Sequence, residues 1–161
     1  MEIERKWITT GWPTATPHRI LQMNQGYISV APAVRIRSHF EADKPPCYIL
    51  CFKGQGGLCR QEIETEITPE LFEQLESFIG KPLIQKEQRQ YLLENGLVLE
   101  VNLVDKDQPT EFFYAEIEFS SPEQALAWKP DSPFLVEYLT HEVTNEKGQS
   151  MAEYWKTTRK D

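Results

Sequence analysis

The sequence predicts an α+β protein in which many antiparallel strands, closing on themselves as a barrel, carry a few helices. Three observations predict it. Turn signals recur at short, regular intervals: GWPTATP at 11–17, EADKPP at 41–46, KGQGG at 53–57, ENG at 94–96 and DKDQPT at 105–110. The runs between them alternate ionic and apolar residues with the two-residue period of a strand. Only two segments open with a clear helix start.

Taken in order, strands are expected over 2–9, 19–30, 33–40, 47–53, 58–67, 83–93, 97–104 and 111–119. Asn95-Gly96 between apolar runs predicts a two-residue hairpin loop. The glycines after Lys53 also suit a hairpin turn and not a phosphate loop, because no Gly-Lys-Ser/Thr follows and no helix begins there. The first helix is expected at 69–79: Thr68 can cap it, Pro69 suits its first position, and Leu71, Phe72, Leu75, Phe78 and Ile79 form one apolar stripe. Ser121-Pro122-Glu123-Gln124 is a capping-box start for a short helix ending near Trp128. The tail from Ser150 to Lys156 is expected to be helical.

At 161 residues the chain suits a single domain, 1–161, with length enough to bury a core. No apolar run approaches the roughly 18–20 residues of a membrane span, and acids at the very start with no apolar segment argue against a signal peptide. Cys47, Cys51 and Cys59 match no common zinc spacing and read as reduced thiols, which predicts a cytoplasmic protein. With 25 acids against 17 bases the net charge is −8, which argues against nucleic acid or an anionic membrane as partner. An anionic ligand would need clustered cations, metals or both. The oligomeric state is left open.

The alternation sorts the charges. In 2–7, Glu2, Glu4 and Lys6 share one face against Ile3, Arg5 and Trp7. In 33–40, Arg35 and Arg37 oppose Val34 and Ile36. In 58–67, Arg60, Glu62, Glu64 and Glu66 oppose Ile63 and Ile67. In 97–104, Glu100 and Asn102 oppose Leu99, Val101 and Leu103, and in 111–120, Glu116 and Glu118 oppose Ala115, Ile117 and Phe119. Lys53 ends one strand and Lys86 starts another. These faces could look outward from a sandwich or line the lumen of a closed barrel. Ordinary outer faces mix signs so that charges pair across strands. Here the strands are sorted by sign, one carrying paired arginines and others paired glutamates, and such sorting reads as a binding site.

In this order the motifs resemble the CYTH superfamily, the triphosphate tunnel metalloenzymes, and most closely its small bacterial triphosphatase-like members. Glu2-Ile3-Glu4-Arg5-Lys6 matches the opening E-x-E-x-K signature. LQMNQGYIS with AVRIRS resembles the Gln-Gly-Tyr and R-x-R strands, CFKGQGGLCRQEIETEI the lysine strand, glycine turn and E-x-E strand, and AEIEF the later E-x-E strand; HEVT also recurs. The likeness covers about residues 1–147. It implies an eight-stranded antiparallel barrel forming a tunnel with a charged lumen and a few flanking helices. Two positions depart from the pattern. The usual K-x-R is here Lys86-Glu87-Gln88-Arg89, which puts the two cations on opposite faces unless a bulge intervenes, and an expected aspartate is Asn102, which offers oxygen without charge.

The resemblance implies roles. Glu2, Glu4, Glu116 and Glu118 would ligate Mg2+ or Mn2+, with Glu62 and Glu64 completing a site, since both ions prefer carboxylate oxygens. Lys6, Arg35, Arg37, Lys53, Lys86 and Arg89 would hold phosphates, the arginines as bidentate clamps, and Lys6, beside the metal acids, would also be the catalytic side chain that orients water. Glu66 and Glu100 read as structural or solvated, and Tyr27, Trp7 and Trp12 as packing residues. The expected activity is metal-dependent hydrolysis of a small-molecule triphosphate, inorganic tripolyphosphate first, releasing phosphate. The alternatives are a class IV adenylate cyclase, a thiamine triphosphatase, and a non-catalytic polyphosphate- or nucleotide-binding module.

Overall fold

In a computed structural model that describes residues 1–160, eight long strands wall an antiparallel barrel: β1 (Glu2–Thr9), β2 (Arg19–Val30), β3 (Ala33–Phe40), β4 (Cys47–Lys53), β6 (Glu62–Glu66), β7 (Ile84–Leu92), β8 (Val98–Val104) and β9 (Phe112–Glu118). Two short strands, β5 (Cys59–Arg60) and β10 (His141–Glu142), bring the total to ten. The order is β10-β1-β9-β8-β7-β2-β3-β4-β6, with β5 returning to β1. That last pairing nearly closes the barrel. It rests on two residue pairs, Glu2 with Arg60 and Ile3 with Cys59, and on the Glu4 amide, which donates to the Leu58 carbonyl at 3.0 Å. The strand count exceeds the eight expected because the run 58–67 breaks at Gln61 and because β10 adds to the edge of β1.

The helices are α1 (Pro69–Ile79), α2 (Pro122–Ala127), α3 (Pro133–Tyr138) and α4 (Met151–Thr158). Each starts at a serine or threonine whose hydroxyl accepts an amide of the first turn: Thr68 from Leu71, Ser121 from Gln124, Ser132 from Leu135 and Ser150 from Glu153. Such caps satisfy donors that the helix cannot. Gly80, left-handed at φ 68°, ends α1. The sequence reading missed α3, although Ser132-Pro133 repeats the cap and first-turn proline of Ser121-Pro122. The Asn95-Gly96 hairpin forms with both residues left-handed. Its loop spans Glu94–Gly96, however, one residue longer than expected, because Leu93 and Leu97 pair across its base.

The larger of two apolar clusters lies outside the sheet. Ile3, Trp7, Leu99, Val101, Ala115 and Ile117 point away from the lumen and pack beneath Ala125 of α2 and Leu135 of α3. Each buried aliphatic side chain of this kind contributes roughly 1.5–3 kcal/mol. Arg5 shares this outer face and is no free surface charge. It pairs with Glu142 at 2.7 Å and donates to the Ala125 and Trp128 carbonyls, tying β1 to β10 and to the end of α2. On the far side, α1 and α4 pack on β2. Their approach needs Gly26, since a Cβ there would lie 2.5 Å from Leu83 and 3.4 Å from Trp155. Asp105 holds α4 in place by accepting from Tyr154 at 2.6 Å and Arg159 at 2.7 Å.

Candidate functional site

With the apolar faces committed to the helices, the ionic faces meet inside. They enclose a cavity of about 340 Å³. All six acids singled out from sequence (Glu2, Glu4, Glu62, Glu64, Glu116 and Glu118) line it, as do Lys6, Arg35, Arg37, Lys53 and Lys86. Arg89 does not. No bulge interrupts β7 in its pairing with β2 and β8, so alternation keeps Arg89 outside, where it pairs with Glu87 at 2.7 Å and stacks over Trp12 at 4.0 Å. Asn102 points inward but is fully buried and not part of the cavity wall. Its oxygen accepts from Gln88 at 3.0 Å and its amide faces the Glu100 and Tyr114 carbonyls, so no oxygen of it is open to a metal.

Several lining residues were underrated from sequence. Glu100, Arg60, Tyr27 and Tyr114 all face the cavity. Alternation carried the signal for each, most plainly for Tyr114, which precedes Glu116 and Glu118 at steps of two. The segment 143–152 had no such signal. It lies across one mouth of the barrel, where Val143, Thr144, Gln149 and Ser150 join the wall. Lys6 donates to the Gln149 carbonyl, and Gly57 admits the segment because a Cβ there would collide with the Asn145 side chain.

The acids are crowded. Glu4 stands opposite Glu118, Lys6 opposite Glu116, and Glu100 opposite Glu116. Burial and the neighbouring Glu116 charge push the Glu4 carboxyl well up. Burial opposes ionisation of Glu116 too, but its hydrogen bond with Glu4 and the charges of Lys6, Lys53 and Lys86 hold it down at about 2. The two carboxyls titrate as a pair, with Glu4 displaced upward and Glu116 downward. Glu100 is pushed up to about 7 by burial and then by Glu116, and Glu118 is raised by burial and by Glu2. Glu2 is raised by burial and Glu62 even though Lys53 stands 3.0 Å away.

The bases bridge the wall. Lys53 contacts Glu2 and, at 3.4 Å, Glu62; burial alone would lower it, but the surrounding carboxylates raise it. Arg37 reaches Glu64 at 3.8 Å. Lys86 donates to the Tyr114 hydroxyl at 2.9 Å, and burial followed by Arg35 brings it down to about 7. Lys6 lies 4.4 Å from the centre of the Tyr114 ring and is lowered by burial. The Nε atoms of Arg35 and Arg37 are buried without a hydrogen-bond partner among the described residues. Unspent cationic donors beside crowded carboxylates form a cavity that can take an anion on one wall and a cation on the other.

No family model matches the chain. Across 147 residues, 91% of each chain, it is 28% identical to the inorganic triphosphatase of Nitrosomonas europaea. The crystal structure of the inorganic triphosphatase NE1496 superposes with a TM-score of 0.60 over 96% of this chain and 93% of that one, at 23% identity. This is the triphosphate tunnel fold. The same tunnel recurs in HpAC1 from Hippeastrum, a candidate adenylyl cyclase with a dominant triphosphatase activity, at a TM-score of 0.53, 16% identity and 84% and 94% coverage. No helix among the described residues is long and apolar enough to cross a membrane.

Proposed function

We propose that this chain is a divalent-cation-dependent hydrolase of linear triphosphates, with inorganic tripolyphosphate as the first substrate to try and inorganic phosphate as a product. The observation that carries the reading is the single cavity into which both the acid-bearing and the base-bearing strands project. A triphosphate brings roughly four to five negative charges near neutrality, and Arg35, Arg37, Lys53 and Lys86 stand ready to hold them. Phosphoryl transfer needs little beyond placement and charge stabilisation.

The crowded carboxylates fit Mg2+ or Mn2+. Glu2 and Glu4 on β1 and Glu116 and Glu118 on β9 would hold the ion, with Glu62 or Glu64 in support, and a cation would offset the burial, and the smaller mutual repulsion, that raise Glu2, Glu4 and Glu118. When bound, such an ion polarises phosphate oxygens and acidifies water. Lys6, set between Glu116 and the Gln149 carbonyl, would orient the attacking water or a phosphate oxygen. The 28% identity to an inorganic triphosphatase over nearly the whole chain supports the same substrate class.

The test is phosphate release from tripolyphosphate, thiamine triphosphate, ATP and pyrophosphate with magnesium or manganese. Cyclic AMP is measured in the ATP arm. Fastest turnover of tripolyphosphate is expected. Tight metal-dependent binding with no release from any of the four, or cyclic AMP as the main product, would overturn the reading.

A further inference from the structure

We infer that Cys51, Glu62 and Glu64 form a site for a thiophilic divalent cation of the zinc and cadmium class, separate in chemistry from the glutamate pairs of β1 and β9. Its Sγ and the two carboxylate oxygens all lie within 4.8 Å of one another. Tetrahedral zinc with one sulfur and two oxygen ligands sets these atoms about 3.4–3.6 Å apart, so small side-chain adjustments close the site. The backbone already places them. Cys51 faces Glu64 directly across β4 and β6, and Glu62 stands two residues along the same face.

Two further observations point to a ligand. Cys51 is 1% exposed and is a free thiol with no side-chain hydrogen bond among the described residues, although Lys53 follows it on the same face of β4. A buried cysteine normally packs among apolar groups. Here its neighbours are carboxylates and Arg35, its cross-strand partner. The carboxylates are also underused. Lys53 stands 3.4 Å from Glu62 and Arg37 3.8 Å from Glu64, well beyond the roughly 2.7–2.9 Å of a close charge-assisted bond. Glu64 therefore has lone pairs to give, and Glu62, which also shares a hydrogen bond with Glu2, would give one on the side away from it. The buried, unpartnered Nε of Arg35 adds a donor beside the site that suits an anionic fourth ligand.

Sulfur selects the ion. Magnesium and manganese favour oxygen, whereas thiolate favours zinc and cadmium. Binding would release the thiol proton to solvent, leaving thiolate as the metal ligand.

The metal-free full chain is titrated with Cd2+, reading the thiolate-to-cadmium charge-transfer absorption, and with Zn2+ in competition with a chromogenic chelator, both in excess Mg2+. One equivalent should bind with the absorption band. The band should survive Cys47→Ser and Cys59→Ser and vanish in Cys51→Ser, with zinc affinity lower by about tenfold or more. Glu64→Gln keeps the thiol and should weaken zinc comparably, so the inference stays testable if Cys51→Ser does not fold, as judged by circular dichroism. No band in the parent protein, a band retained in Cys51→Ser, or zinc affinity unchanged in Glu64→Gln would overturn it. Magnesium-supported phosphate release, measured on the same preparations, reports separately on the hydrolase reading.

Discussion

Replacing Glu100 by glutamine should stabilise the metal-free protein at pH 8 and do little at pH 4. Glu100 lies on the lumen face of β8, opposite Glu116, and burial with that neighbouring charge raises it from 4.5 to about 7. The unfolded chain loses this proton near pH 4.5, while the folded chain keeps it to about pH 7. Between those values the native state binds more protons, so stability falls as pH rises and then levels off. A displacement from 4.5 to about 7 is worth roughly 3 kcal/mol at most, and partial solvent access reduces it to about 1–3 kcal/mol. Glutamine keeps the shape and removes the charge. At about 2–4 °C per kcal/mol for a chain of this size, Glu100→Gln should melt roughly 3–8 °C higher at pH 8 in EDTA. Thermal melts by circular dichroism at pH 4, 6 and 8 give the profile. A variant equal to or less stable than its parent at pH 8, or a gain as large at pH 4, would refute the reasoning.

Phosphate release from tripolyphosphate should disappear in excess EDTA and return with magnesium or manganese; undiminished turnover under chelation would remove the metal from the reaction. Arg37→Ala should lower kcat/KM by about 10–100-fold, corresponding to the roughly 1.5–3 kcal/mol of a charge-assisted hydrogen bond. Arg89→Ala, outside the barrel, should stay within about threefold, and equal losses would contradict the assignment of faces. Asn102→Asp should cost about 2–4 kcal/mol in urea unfolding, because the new carboxylate would face the Glu100 and Tyr114 carbonyls in a buried site. An unchanged midpoint would show that those contacts carry no weight.

Much of this site was legible because strand alternation is rigid. Once Glu2, Arg35, Glu62 and Glu116 fall on ionic faces, closure of the barrel brings those faces together, and five of the six proposed phosphate-binding cations follow. Arg89 fails by the same rule: three residues from Lys86, it must point the other way unless the strand bulges. Alternation alone could not decide which face lies inside, since outward charges satisfy it equally well. That choice depends on where α2, α3 and α4 find apolar partners, which is a tertiary matter. Asn102 shows a second limit. It occupies the inward face as expected, yet depth along the barrel decides whether an inward residue meets the cavity or the packed layer behind Gln88. The mouth segment 143–152 was illegible, because its place is set by Gly57, Lys6 and the Asp105–Arg159 clamp, contacts between residues far apart in the chain.

The short pairing of β5 with β1 makes the barrel a hoop with one weak joint. Seven of its junctions between neighbouring strands run for five or more residue pairs, while this one has two. Glu2 and Glu4 stand on one side of the joint, Glu62, Glu64 and Lys53 on the other, and the Lys53–Glu2 ion pair spans it. Any ligand that engages both sides would act as a clasp, supplying across the lumen the tension that backbone pairing does not. Amide protons at Glu4 and at the start of β5 would then exchange with solvent fastest in the empty protein and slow most when the cavity fills. Loading the tunnel and completing the barrel would be one event.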